Sequence, residues 1–131
     1  PRLTTVRGVE LSELMQKEKI QAITKRTLER GLEIVSSLGS GSAYFAPSQA
    51  IAAVVKIIAK DEKRTIGLSA YLNGEYGIKD VCIGVPCRLG RNGIEKIVEL
   101  DLNEEERPLF IRATESVRKN LNIIKPFCHG L

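Results

Sequence analysis

An α+β fold, with long helices packed on a mainly antiparallel twisted sheet, is predicted by a change of hydrophobic period partway along the chain. Apolar residues recur at steps of three and four up to Leu38, run almost unbroken from Ala50 to Ala59, and alternate with polar or small residues from Ile66 onward. An Asn-Gly pair between two alternating segments adds a hairpin, and a late amphipathic stretch returns the chain to helix. At 131 residues, 43% of them hydrophobic, the chain is long enough to bury a core and is expected to form one compact domain.

The first long helix is predicted between Lys17 and Leu38. Ile20, Ile23, Thr27, Gly31, Ile34, Val35 and Leu38 share one face, while Lys19, Lys25, Arg26, Glu29 and Arg30 fall mostly elsewhere. Gly31 costs about 1 kcal/mol relative to alanine inside a helix, so its place on the apolar stripe predicts another backbone packed close to it. Gly39 is the expected stop, and Ser40-Gly41 continue the break. A second helix should begin near Ala46 or Pro47, because proline is tolerated in a first turn where its missing N–H removes no ladder bond. Its body, Ala50 to Ala59, is apolar almost all round and is expected in the middle of the domain.

After the charged turn Lys60-Asp61-Glu62-Lys63-Arg64, the residues Ile66, Leu68, Ala70 and Leu72 mark a half-buried strand. Val81, Ile83, Val85, Cys87 and Leu89 mark a second, and Ile94 to Leu100 returns after Arg91-Asn92-Gly93 as a third. Pro86 has no N–H for a ladder, so its strand is expected at an edge or with a local irregularity. The last helix should run from about Glu104 to Ile124, with Asn103 as N-cap and three glutamates where the helix dipole favours negative charge. Pro108 should delay or bend its first turn, and Lys125-Pro126 should end it.

Composition narrows the function classes. No apolar run reaches the ~20 residues that span a bilayer, so no membrane partner is expected. Cys82, Cys87 and Cys128 form no CxxC pair and are odd in number, which signals neither a metal site nor a closed disulfide framework and fits a reducing cytoplasm. The formal charge of +4 is scattered and interleaved with glutamate, as in Lys17-Glu18-Lys19, so nucleic acid is not an expected partner. Pro1 in place of methionine, with no signal-peptide pattern, reads as the cut end of a longer chain.

Catalytic groups are sparse. The one histidine, His129, lies in the tail beyond Pro126 with no neighbouring carboxylate and reads as an exposed tail residue. Gly39-Ser40-Gly41 joins two helices and Gly90-Arg91-Asn92-Gly93 turns a hairpin, so neither has the strand–turn–helix context of a dinucleotide fingerprint. No catalytic residue is assigned within this chain. From the residues alone, Ser42 reads as a cap of the second helix and Pro47 as its start.

Three segments add a resemblance: Gly41-Ser42-Ala43-Tyr44-Phe45-Ala46-Pro47, then Tyr71-Leu72-Asn73-Gly74-Glu75-Tyr76-Gly77, then Ile83-Gly84-Val85-Pro86. Together with Arg30-Gly31-Leu32-Glu33-Ile34-Val35 and Leu89-Gly90-Arg91-Asn92-Gly93-Ile94-Glu95, they resemble the C-terminal half of the NAD-dependent malate/lactate dehydrogenases, almost continuously from Arg2 to about Lys119. The resemblance implies that residues 1–131 are a substrate-binding C-terminal domain. The nucleotide-binding half, which in this family holds NAD, the substrate arginines and the histidine proton donor, would precede it. It implies that Ser42 and Ala43 line the substrate pocket and that Pro47 packs against the nicotinamide ring. It also implies pairing of subunits through the helices, as a homodimer or homotetramer.

Lactate-specific members of the family usually carry threonine where this chain has Ala43. The resemblance is therefore closer to malate-specific members, with malate and oxaloacetate as the small-molecule partners. A lactate or other 2-hydroxy-acid dehydrogenase is the first alternative. A binding or assembly domain that kept the fold without the chemistry is the second.

Overall fold

The computed structural model describes residues 1–127, so Cys128 and His129 lie outside the described residues. The chain divides into two compact units, Pro1–Ala50 and Ile51–Leu131.

The first unit opens with a two-stranded antiparallel ribbon, β1 (Thr5–Val6) and β2 (Val9–Glu10), closed by Arg7 at φ 53° and Gly8 at φ 86°. Two successive positive φ values are the signature of the mirror-image turn whose twist suits paired strands. A single helical turn, α1 (Leu11–Leu14), leads to the long helix α2 (Lys17–Leu38). The hydroxyls of Thr24 and Thr27 donate to the carbonyls of Ile20 and Ile23, both at 2.8 Å, so these polar residues sit in a helix with their own donors satisfied. Arg30 and Arg26 approach Glu33 at 2.6 and 3.3 Å and hold its carboxyl below the usual glutamate range. Gly39 ends α2 at φ 72°, its N–H donating to the Ser36 carbonyl.

A sequence-based expectation changes at Gly31. A methyl group placed on its Cα would meet no atom of another element within 4 Å, so among the described residues no other backbone packs there.

Helix α3 (Phe45–Ala59) carries Pro47 in its first turn, as its missing N–H requires. It does not occupy the centre of the core, as its apolar body predicts. Ile57 is buried, but Ile51 and Val55 are 65% and 58% exposed. Hydrophobicity on every side states only that several faces seek cover, not that this chain supplies it.

The second unit is a three-stranded antiparallel sheet with helix α4 (Glu106–Ile124) against it. Strand β3 (Arg64–Asn73) pairs with β4 (Lys79–Gly90) so that Leu68 faces Val85, Ala70 faces Ile83 and Leu72 faces Val81. The alternation read in each strand thus falls in register on one face, and Ala70, Leu72, Val81, Val85 and Cys87 are buried there with Ile78. Phe110 and Val117 of α4 cover that face.

Strand β5 (Gly93–Ile97) pairs with the other side of β4, which makes β4 central; of the two expectations for Pro86, this overturns the edge, while the β4–β5 register does shift close by, between Arg88 and Leu89. Paired residues in an antiparallel ladder exchange both bonds on one side, and the Pro86 carbonyl accepts from Val98 N–H at 2.8 Å, so its donor-less nitrogen faces the β5 side. The β4–β5 pairing ends at Cys87 and Ile97, next to that position, and proline therefore removes no bond to β3. The β4–β5 turn also differs in detail. Arg91 and Asn92 keep negative φ, and Gly93 takes φ 88°, the arrangement of a turn followed by a glycine bulge.

Two polar clusters fasten the strand ends. Asp61 accepts from Arg91 N–H at 2.6 Å and pairs with Lys63 at 3.1 Å, while Lys63 also pairs with Glu95 across the turn. At the β3–β4 turn, Tyr76 sits at φ 55° and its N–H donates to Glu99 at 2.5 Å. Its phenol donates to the Val98 carbonyl at 3.1 Å and accepts from Leu100 N–H at 2.9 Å, and its ring lies 4.9 Å from that of Phe110. Tyr76 thereby joins the turn, the exit of β5 and α4 into one piece.

Asn103 caps α4 as its residue type predicts. Its side-chain oxygen accepts from Glu105 and Glu106 N–H at 3.0 and 2.8 Å, and Glu106 accepts from Asn103 N–H at 3.1 Å in return. The regular helix starts only at Glu106, two residues beyond the expected start, with Pro108 in its first turn. A final turn at Lys125–Phe127 ends the described chain.

Candidate substrate site

The candidate site is the loop between α2 and α3, residues 40–44, and the helical turn that follows it. Glycine is required at both breaks: Gly39 and Gly41 hold φ at 72° and 92°, where a side chain is strained. Two left-handed residues within three positions fold the backbone back sharply and bring Ser42 and Ala43 ahead of the start of α3. The exit is anchored by Ser48, whose N–H and hydroxyl both donate to the Tyr44 carbonyl, at 2.9 and 2.7 Å. Helix α3 begins at Phe45, so Tyr44 rather than Ser42 holds the cap position, and Ser42 makes no capping bond among the described residues.

Ser42 is exposed and Ala43 half-buried, and the Ser42 hydroxyl has no hydrogen-bond partner among the described residues. One donor and two acceptor positions are therefore free on a short, rigidly bounded loop. Pro47 is exposed in the first turn of α3, presenting an apolar ring three residues beyond Tyr44. All three sequence-predicted site residues thus belong to one loop and one helical turn. The arrangement can bind and orient a small polar molecule, but it holds no acid, base or nucleophile of its own.

His129 lies outside the described residues. Among the described residues no group of three or more His, Cys, Asp or Glu side chains is gathered to hold a metal ion. No described helix is long and apolar enough to cross a membrane. Two cysteines differ sharply: Cys82 is exposed, while Cys87 is buried in the sheet core, where desolvation pushes its thiol up from the ordinary cysteine value. Neither lies in the candidate loop.

Sequence reasoning passes over the contact between Gly41 and Tyr44. A Cβ built on Gly41 would collide with the Tyr44 hydroxyl and would lie 3.5 Å from Cζ. The glycine-to-tyrosine spacing is the one signal of it in the sequence, and it indicates a close approach only once the turn is known.

Comparison with known proteins identifies the family of the whole chain. Residues 3–128 match the family described as lactate/malate dehydrogenase, alpha/beta C-terminal domain. A malate dehydrogenase of Roseiflexus sp. is 45% identical over 125 residues, which are 95% of this chain and 40% of that protein. Among solved structures, malate dehydrogenase from Salinibacter ruber superposes with a TM-score of 0.92 at 39% identity, over 96% of this chain and 41% of that one. Lactate dehydrogenase from Eimeria maxima, solved with NADH and oxamate, gives 0.91 at 38% identity, over 98% and 42%. The chain spans about two fifths of the length of the curated relatives it matches. With its mixed helix and antiparallel sheet and a match from Leu3 to Cys128, the chain belongs to the lactate/malate dehydrogenase family, as its α/β C-terminal domain.

Proposed function

We propose that this chain is the substrate-side domain of an NAD-dependent malate dehydrogenase, which interconverts malate and oxaloacetate. The observation that carries the reading is the loop itself: an exposed, unpaired Ser42 hydroxyl next to the small, half-buried Ala43, both held ahead of α3. Ser42 would hydrogen-bond a substrate oxygen. Ala43 would leave room for the second carboxylate that distinguishes oxaloacetate from pyruvate. Pro47 fits a planar, partly apolar partner, since its exposed ring lies on the first turn of α3 with no N–H to satisfy; it would pack against the nicotinamide.

NAD, when bound, accepts the hydride from the substrate alcohol carbon. This chain's own residues bind and orient the substrate and help exclude water. The proton-transferring histidine and most of the NAD site are assigned to an N-terminal half preceding this domain. The assembled enzyme would be a homodimer or homotetramer, because the apolar residues exposed on α2 and α3 offer surface for packing between subunits; its cysteine pattern fits a reducing cytoplasm. The malate reading is supported by the 45% identity to the Roseiflexus enzyme and by Ala43. The superposition on the Eimeria lactate dehydrogenase favours lactate as the second reading.

Steady-state kinetics on the full-length protein separate the two. Oxaloacetate should be reduced with a kcat/KM at least about tenfold above that for pyruvate, on the scale of a pocket that rejects by volume and unpaired polar groups. A preference for pyruvate transfers the assignment to lactate. The 131-residue chain alone should show no NADH oxidation above a blank with either acid. Turnover by that chain would mean that the active site has been placed wrongly.

A further inference from the structure

The contact between Gly41 and Tyr44 closes the candidate loop on itself. Gly41 sits at φ 92°, and the Tyr44 hydroxyl occupies the place that a Cβ on Gly41 would take. Between these two positions lie only Ser42 and Ala43. The entry to the loop is tied by Gly39 N–H to the Ser36 carbonyl, and the exit by both donors of Ser48 to the Tyr44 carbonyl. The phenol of Tyr44 thus folds back from an anchored exit onto the left-handed residue at the entry, bracing a two-residue span.

Among the described residues nothing buries Tyr44, which is 60% exposed, or the neighbouring Phe45, which is 90% exposed. We propose that Gly41 and Tyr44 are a positioning pair that sets the direction of the Ser42 hydroxyl and the depth of Ala43, and thereby the affinity for the dicarboxylic substrate. The proposal rests on the reading of Ser42 and Ala43 as pocket wall. Neither member is a catalytic residue; both act through the backbone they constrain. Small displacements of a positioning group carry large kinetic penalties, which is why a surface tyrosine can matter.

The test uses the full-length protein, with steady-state kinetics in oxaloacetate and NADH and a thermal melt on each variant. Gly41→Ala forces a side chain into the left-handed region and against the phenol, and Tyr44→Ala removes the brace. Both should raise KM for oxaloacetate on the order of tenfold and leave KM for NADH unchanged. Tyr44→Ala should keep its melting temperature within about 3 °C of wild type, whereas Gly41→Ala is expected to lower it through the strain of a side chain at φ 92°. Tyr44→Phe removes the hydroxyl that lies at Gly41 but keeps the ring, and should raise KM to a value between those of wild type and Tyr44→Ala.

Ala43→Thr, which narrows the pocket directly, separates the two layers of the argument. If Ala43→Thr raises KM for oxaloacetate while Gly41→Ala and Tyr44→Ala do not, the positioning pair is overturned and the pocket wall stands. If Ala43→Thr is silent as well, the pocket reading falls and takes the pair with it. A lowered melting temperature with KM unchanged in Tyr44→Ala would reduce Tyr44 to a structural role and overturn the proposal.

Discussion

Every buried residue among those described belongs to the second unit, Ile51–Leu131; in the first, Pro1–Ala50, none is buried. Both units have well-patterned apolar residues. In the second, the alternating positions of β3 and β4 meet in register and α4 covers them, so Leu72, Val81 and Cys87 are at most 1% exposed. In the first, Leu28 and Leu32 of α2 are 82% and 76% exposed, and Leu38 is half exposed. Amphipathic pattern forms the secondary structure in each case. A core forms only where a second apolar face arrives to meet the first. A helix of 22 residues with no buried side chain is a surface that awaits another.

The sharpest way to break this contrast is to remove equal side chains from both units. Leu72→Ala should destabilise the chain by about 2–5 kcal/mol, the usual penalty for a cavity under a closed sheet. Leu32→Ala should stay within about 0.5 kcal/mol in the isolated chain, because it empties nothing. Urea denaturation followed by circular dichroism measures both. Comparable losses would show that α2 shares a core that its exposure conceals.

A second test asks whether the uncovered stripe is covered in the assembled full-length protein. Gly31 faces open space in this chain, so Gly31→Leu should leave the isolated domain unharmed. If the stripe packs on another subunit or on the preceding half, the same change should weaken that packing by roughly 1–3 kcal/mol. Sedimentation velocity across a concentration series reads the difference. Wild-type protein that sediments as a monomer at micromolar concentration would remove the assembly claim, whatever the variant does.

The smallest effect is expected at the polar fastening of the second unit. The Arg91 backbone N–H, and then Lys63, hold the Asp61 carboxyl below the usual aspartate range. A carboxyl whose folded-state pKa is depressed contributes stability that is present above the ordinary aspartate value and is lost as pH falls through the folded one. Asp61→Asn should therefore flatten the acid limb of the stability profile and leave the neutral region nearly unchanged, since exposed pairs contribute little. Thermal melts carried from neutral pH down to and below the ordinary aspartate value would reveal it. An unchanged acid limb would show that the hairpin does not depend on this contact.

The sheet was legible in the sequence because strand alternation has a strict period of two, so residues such as Ala70 and Leu72 declare their face before any partner is known. The cap at Asn103 was legible for a similarly local reason: a side-chain oxygen and the glutamate three residues on satisfy one another within a single turn. Ser42, Ala43 and Pro47 are candidates only through a family resemblance, since the residue types of Ser42 and Pro47 alone point to an ordinary helix start.

The place of Pro86 was not legible, because its cost depends on which neighbour its nitrogen faces, and that is decided by where β5 ends. Nor was the fate of α3, whose composition measures how much surface seeks cover but not what covers it. The Gly41–Tyr44 closure belongs to the same class. By itself the sequence determined local periods, caps and breaks, since those are settled by neighbours within a few residues along the chain. Only the tertiary structure decided which strand is central, which apolar faces find partners and how closely Tyr44 approaches Gly41, because each is a question of contact between groups whose meeting no local rule specifies.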